Sequence, residues 1–181
     1  AYIAWPLPNG KHKDVPALDV LAMILGQGES SRLMKTIKME KHIVNSVGAS
    51  SYTPKDPGLF GISATMNGEK VADYFTEVLA VLKDFMQRGA EVDELSKAVL
   101  NVESEKYYSL ETVDGIAGLY GHFDFFFGDW RKFNDIMKKM NGLTTKDILS
   151  VAKKYLKPEL AQVYVMTDQP VEEVQAIANK F

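Results

Sequence analysis

Apolar residues along this chain recur first as short strand-like runs and then with the period of helices. Residues 2–7 form an apolar run that ends in a Pro- and Asn-Gly-rich segment, residues 6–10, which predicts a strand followed by a turn. Apolar residues at i, i+3, i+4 and i+7 come next and predict an amphipathic helix from Pro16 to Gly26, its stripe being Leu18, Leu21, Ala22 and Leu25. Ser30 or Ser31 can cap a second helix, predicted for residues 32–41.

Two strands and a long helix are predicted in the middle of the chain. Residues 44–52 and 59–66 are rich in β-branched, aromatic and small residues, and the turn-forming segment 53–58 separates them, so we expect an antiparallel hairpin. After Asn67-Gly68 a 3.6-residue period continues for four turns and stops at Gly89, with Val71, Phe75, Val78, Leu79, Leu82, Phe85 and Met86 as its stripe.

The remaining pattern is mostly helical. Helices are predicted at residues 93–110, 113–127, 130–140 and 146–156, and Thr144 with Asp147 resembles a capping box. A strand at residues 161–166 follows, and then a terminal helix from Pro170 whose face is Val171, Val174, Ile177, Ala178 and Phe181. Helices clustered in this way argue against βαβ alternation. They predict an α+β fold, a mostly antiparallel sheet covered on one face by a layer of helices.

Composition narrows the function classes. The 181 residues fit one domain with a full core, and 46% of them are hydrophobic. A net charge of -3 provides no basic surface for nucleic acid, and no apolar run approaches the roughly 18 residues of a membrane span. The absence of cysteine excludes disulfides but leaves periplasm and cytoplasm both open. The strand-like start without Met predicts a piece of a longer protein.

No catalytic or metal-binding set can be built from the side chains. Zinc hydrolysis needs two imidazoles on one helical face, a third ligand and a Glu as base, but His12, His42 and His122 are far apart. We therefore predict no zinc site and interpret the three histidines as surface or packing residues. No Ser-His-Asp signal is present, and Glu103 and Glu105, interleaved with lysines, are typical of a solvated helix face.

Two further segments resemble ligand sites but have simpler interpretations. The segment 26–31, Gly-Gln-Gly-Glu-Ser-Ser, follows a helix instead of a strand and lacks the third glycine of a dinucleotide loop, so we interpret it as a helix break. A cluster of aromatic residues is expected to lie mostly on the buried side of two helices as core packing, namely Phe123, Phe125, Phe126, Phe127 and Trp130.

Three segments, in this order, resemble a known family. They are residues 24–33 (Ile-Leu-Gly-Gln-Gly-Glu-Ser-Ser-Arg-Leu), Ser46-Val47 together with residues 56–60 (Asp-Pro-Gly-Leu-Phe), and residues 94–98 (Glu-Leu-Ser-Lys-Ala). Each is a weak signal alone, but with the order of elements they resemble the pitrilysin/insulinase family of zinc metallopeptidases, which have a processing-peptidase-like fold. The likeness covers nearly the whole chain.

The resemblance implies a clamshell of two halves, each made of two related domains, that closes on a peptide. Only one domain binds zinc, through an inverted His-x-x-Glu-His that this chain lacks. Residues 1–181 are therefore expected to be a single non-catalytic domain that supplies chamber wall, peptide contacts and a docking face. Its expected partners are the zinc-bearing domain of the same family and a peptide substrate, with no cofactor in this chain.

The family also implies two candidate substrate contacts. Many members place an arginine, and a tyrosine seven residues later, near the scissile bond, and the matching positions here are Lys38 and Asn45. Lysine keeps the charge without the bidentate fork, and asparagine is shorter than a phenol, so a direct catalytic assist is in doubt. The main alternative function is that of a structural or assembly module of the same fold, similar to the core subunits of respiratory complexes. An independent enzyme with unrecognised chemistry is a more distant alternative.

Overall fold

A four-stranded antiparallel sheet is the framework of the domain. The computed structural model describes residues 1–178. The strands are β1 (Tyr2–Leu7), β2 (Ser46–Tyr52), β3 (Gly58–Thr65) and β4 (Gln162–Tyr164), in the spatial order β2-β3-β1-β4. Trp5 of β1 lies opposite Phe60 of β3, and every neighbouring pair is antiparallel. The predicted hairpin and the α+β class are both confirmed.

Helices make up most of the rest of the chain. They are α1 (Val15–Gly26), a π-helix (Met34–Glu40), α2 (Val71–Arg88), α3 (Val92–Tyr108), α4 (Val113–Phe127), α5 (Lys132–Asn141), α6 (Thr145–Tyr155) and α7 (Val171–Ala178). Gly89, at φ 76°, ends α2, and Thr144 with Asp147 forms the predicted capping box of α6. The terminal helix is confirmed as far as Ala178. In its predicted face, Phe181 and the side chains of Val171, Ile177 and Ala178 lie outside the described residues.

Helix α1 forms the centre of the core. It packs against β2 on one side and against α3, α5 and α6 on others, so all of its residues except Val15 and Asp19 are buried. The helix is present as predicted, but it has no polar face, because a helix packed on several sides is apolar all round. Gly26 at its end lies so close to Ala49 of β2 that a Cβ atom would overlap the strand backbone.

The two faces of the sheet differ because side chains alternate along each strand. Ile3, Trp5 and Leu7 of β1 and Phe60 and Ile62 of β3 point into the core. On the opposite face the exposed residues are mainly small or hydroxyl-bearing, namely Pro6, Ser46, Ser50, Tyr52, Ser63, Thr65, Gln162 and Tyr164. We call this second surface the open sheet face.

Two predicted elements differ from the structure in form. The second helix is present, but residues Met34–Glu40 are wound as a π-helix, in which the Lys41 N–H donates to the Thr36 carbonyl five residues back. The last strand is only Gln162–Tyr164, instead of residues 161–166. It pairs antiparallel with β1 over three positions, from Tyr164 opposite Tyr2 to Gln162 opposite Ala4.

Three of the five residues in the aromatic cluster are at least partly buried, as expected for most of it, and two are exposed. Phe123 is buried, and Phe126 and Phe127 are partly buried, but Phe125 is 84% exposed and Trp130 is 42% exposed. Helix α4 packs against its neighbours on one side only, and residues two positions apart on a helix point in nearly opposite directions, so Phe125 faces away from Phe123. Within the described residues, no helix is both long and apolar enough to cross a membrane.

Candidate functional site

Lys38 lies on the π-helix and is partly buried. The backbone turns sharply after this helix, because His42 adopts a positive φ of 53° and the Ile43 N–H donates to the Ile37 carbonyl at 3.0 Å. Single π turns are frequent at functional sites, and here the winding changes the direction in which Lys38 points relative to an α-helix. Among the described residues, the Lys38 ammonium has no ion-pair or hydrogen-bond partner.

Asn45 lies just before β2 and is exposed. Its backbone N–H donates to the Thr65 carbonyl at 2.8 Å, so its main chain continues the β2–β3 ladder beyond the strand. The next pair of residues is tied by a 2.6 Å hydrogen bond between the hydroxyls of Ser46 and Thr65. Asn45 therefore has a fixed backbone next to the open sheet face. Its role as a substrate contact, like that of Lys38, stays a prediction.

The three histidines lie in separate parts of the fold. His12, in the loop after β1, accepts a hydrogen bond at Nδ1 from the Asp14 N–H at 3.1 Å. His42 is exposed after the π-helix, and His122 on α4 stacks on the Phe126 ring with centroids 5.0 Å apart. Within residues 1–178, no group of three or more His, Cys, Asp or Glu residues could hold a metal ion. The described residues thus do not fit a zinc ion. The zinc that the family resemblance implies is expected in a partner domain.

A cleft of about 510 Å³ lies between α1, the end of β2, and helices α3, α4 and α5. Its wall is aromatic on the α4–α5 side, with Phe123, Phe126, Phe127 and Phe133. Its polar groups are Asp19 and Gln27 near β2, Ser51 and Thr53 on or just beyond β2, Glu105 and Lys106 on α3, and His122 on α4. A volume in this range is typical of small-molecule sites.

The carboxyl group of Asp19 in this cleft has a strongly shifted pKa. Burial raises its pKa to about 6, while the Ser51 hydroxyl and the more distant Lys106 ammonium lower it. The Ser51 hydroxyl makes no hydrogen bond of standard geometry. Among the described residues, no cation lies within 4.0 Å of the Asp19 carboxylate. The cleft therefore contains a carboxylate whose charge is only partly compensated.

A second polar cluster joins the loop after α1 to α2 and α3. The Arg32 guanidinium binds both carboxylate oxygens of Glu94, at 2.8 and 2.7 Å, and donates to the Gly89 carbonyl at 2.7 Å. It also lies 4.8 Å from the centroid of the Phe85 ring. Burial alone would raise the pKa of Glu94, but the Arg32 hydrogen bonds and the Glu91 N–H outweigh it and hold this pKa below its usual value. The cluster is therefore a structural clamp.

Sequence reasoning missed both clusters as sites. Arg32 and Glu94 lie in segments that carry the family resemblance, but their contact spans 62 positions and has no local signal. Asp19 did have a signal, since it is the one charged residue within the apolar segment 15–26. A single carboxylate in a helix that is otherwise buried indicates either a special partner or a cavity.

Comparison with known proteins agrees with this geometry. A family model described as the peptidase M16 inactive domain matches residues 1–102. The zinc protease PqqE of Helicobacter pylori is 26% identical over 156 residues, which cover 86% of this chain and 35% of that protein.

Solved structures show the same fold. A protease from Helicobacter pylori superposes with a TM-score of 0.79 at 25% identity, covering 88% of this chain and 39% of that one. The peptidase M16 inactive domain from Pseudomonas fluorescens has a TM-score of 0.77 at 18% identity, covering 93% and 42%.

The chain therefore spans well under half the length of these relatives. The family description, an inactive domain, agrees with the expectation that this chain alone is not the enzyme. More than half of the chain matches the family model, and the resemblance seen in its sequence motifs points to the same group. The chain belongs to the peptidase M16 inactive domain family.

Proposed function

We propose that this domain forms part of the wall of a peptide chamber in a zinc-dependent metallopeptidase and docks against the zinc-bearing domain. The observation that carries the proposal is the open sheet face, an exposed surface of small and hydroxyl side chains in a family of inactive peptidase domains. The catalytic zinc, in this proposal, belongs entirely to the partner domain, since the residues here do not fit a metal site.

The open sheet face has the chemistry expected of a surface that contacts peptides. The Tyr2 side chain lies over Gly61 in the middle of this face, so the proposed peptide contacts are the exposed hydroxyl-bearing residues around it, such as Ser50 and Ser63. Hydroxyl groups both donate and accept hydrogen bonds, which suits a peptide of any sequence. Asn45 immediately precedes β2 and Lys38 lies on the π-helix that contacts β2, and we propose both as contacts for the peptide.

Docking is proposed for a second surface, the α3–α4 surface, which consists of Tyr107, Tyr108, Val113 and Ile116. These side chains are 52%, 68%, 85% and 41% exposed, and all four lie within ten positions of the chain. Exposed apolar residues grouped in this way are typical of interaction sites. The proposed occupant is the zinc-bearing domain, because most of the length of the relatives lies outside the region that matches this chain.

Reconstitution tests this function. The zinc-bearing domain of the same protein or operon is mixed with this chain, and binding and cleavage of a quenched fluorescent peptide are measured. Val113→Glu should raise the Kd about tenfold, since a charge then replaces an apolar contact. Val92→Glu is a matched control, because Val92 is also the first residue of a helix and is 70% exposed, but lies outside the α3–α4 surface.

The outcomes separate the two candidate roles. Peptide cleavage that requires both domains supports the chamber-wall function. A stable complex in which a partner with an intact inverted His-x-x-Glu-His cleaves no peptide supports the structural or assembly role instead. Equal binding by the Val113 and Val92 variants would reject the proposed docking surface.

A further inference from the structure

The cleft beside Asp19 is not explained by the chamber-wall function. It lies between α1 and helices α3 to α5, and the polar lining nearest the sheet is Ser51 of β2 and Thr53 just beyond that strand. None of the residues singled out from the family resemblance as peptide contacts lines it. The cleft therefore has to be considered as a separate site.

One end of the cleft is anionic. The Asp19 carboxylate has no cation within 4.0 Å among the described residues, and Glu105 adds a second negative charge on the α3 wall. Among the described residues, Lys106 is the only lysine in the lining, and it acts on Asp19 without forming an ion pair. A carboxylate in such surroundings gains most from a ligand that brings a positive charge and hydrogen-bond donors.

The opposite side of the cleft is aromatic. Phe123, Phe126, Phe127 and Phe133 line it, and the first three rings pack against one another with centroids 5.5 to 5.6 Å apart where they meet. Met137 and Met140 of α5 extend the apolar surface. Aromatic faces attract cations and also bury the apolar body of a ligand.

We propose that this cleft binds an organic cation, a primary ammonium group carried on an apolar body, with the ammonium on the Asp19 carboxylate and the body against the phenylalanine wall. The ligand is either a free amine or the lysine side chain of a peptide, which share this chemistry. The site does not depend on the chamber-wall function, because the lining residues all belong to this chain.

Binding of 2-phenylethylammonium to the chain, measured by calorimetry at pH 8, tests the proposal, with neutral 2-phenylethanol as the matched probe. The cation should bind about tenfold more tightly than the alcohol. Asp19→Asn should remove this preference while keeping the shape of the side chain. Asp124→Asn is the matched control, since Asp124 is an exposed acid on α4 outside the cleft lining, and it should change nothing.

A second variant separates binding from folding. Gly118 lines the cleft on α4, and a Cβ atom there has no neighbour within 4 Å. Gly118→Leu should fill the cleft and abolish binding, and its melting temperature should not fall because leucine has the higher helix propensity. Nα-acetyl-lysine methylamide is the third probe. Binding that exceeds that of the free amine identifies a peptide side chain as the source.

Acidification provides another readout. Affinity for the cation should fall below about pH 6 as Asp19 is protonated. The other charged or titratable groups in the lining are Glu105 and Lys106 on α3 and His122 on α4. If Asp19 is the group that controls binding, His122→Gln should leave the pH profile unchanged. Equal affinity for amine and alcohol, or full cation binding by Asp19→Asn, would overturn the proposal.

Discussion

Arg32 and Glu94, 62 positions apart in the chain, form a two-point ion pair in which Nε–Oε1 is 2.8 Å and Nη2–Oε2 is 2.7 Å. Arg32 also donates to the Gly89 carbonyl, where the chain turns from α2 into α3. The Arg32 and Glu94 side chains are only 16% and 27% exposed. One guanidinium thus holds the loop after α1 against the junction of two helices.

Substitution of Arg32 by lysine should lower the free energy of unfolding by about 2 kcal/mol. Lysine keeps the charge but cannot bind both carboxylate oxygens of Glu94 and the Gly89 carbonyl at the same time. At least one of these acceptors is then left without its hydrogen bond to a charged donor. Urea denaturation measures the change. Arg131→Lys is the matched control, since the Arg131 side chain is 71% exposed and pairs with Asp129, which is not a partner of Arg32, so its effect should stay well below that of Arg32→Lys.

Asp19→Asn should stabilise the domain at neutral pH. The folded pKa of Asp19 is raised from 3.8 to about 6, so the folded state binds its proton more tightly, and stability falls as pH rises between these values. At pH 8 the substitution should raise the free energy of unfolding by roughly 2 to 3 kcal/mol relative to its effect at pH 3.5. Denaturation of both proteins across this range measures the difference. A pH-independent effect would contradict the altered titration of Asp19.

Lys38→Ala and Asn45→Ala, made in the intact protein, should lower peptide turnover without lowering thermal stability if this domain assists catalysis. A lost transition-state hydrogen bond costs roughly 2.7 to 4 kcal/mol where it matters, so the change in kcat should be large. The double variant Lys38→Arg, Asn45→Tyr should raise turnover. Lys35→Ala, an exposed lysine on the same π-helix, is the control. Unchanged kinetics in both alanine variants would leave the domain as wall and scaffold only.

The purified chain should bind no stoichiometric zinc, because its three histidines lie in separate parts of the fold and it has no thiolate. Elemental analysis after dialysis against trace zinc measures this. One tightly held zinc per chain, lost on replacement of His12, His42 or His122, is the result that would refute it.

Local pattern was enough to predict most elements of the fold. The i, i+3, i+4, i+7 stripe of α2, the glycine after it and the turn-forming residues 53–58 act within a few positions, so a helix end or a hairpin can be recognised from neighbouring residues alone. The same reasoning predicted the capping box at Thr144 and the exact bounds of α4.

Burial was predicted less well because it depends on what packs against each element. Helix α1 looked amphipathic but is enclosed by β2, α3, α5 and α6, and α4 looked like a core helix but is packed on one side only, leaving Phe125 exposed. Capping residues and apolar periodicity likewise do not distinguish the π winding of residues Met34–Glu40 from an α-helix.

The sequence by itself determined the order of strands and helices, the family and the lack of a metal-binding motif, since these depend on spacing along the chain. Only the tertiary structure decided that Asp19 faces a cleft walled by residues up to 121 positions away, and that Arg32 pairs with Glu94. Contacts of this kind form when separate elements pack together. Their energies depend on burial and on distances between atoms, which no local pattern of residues records.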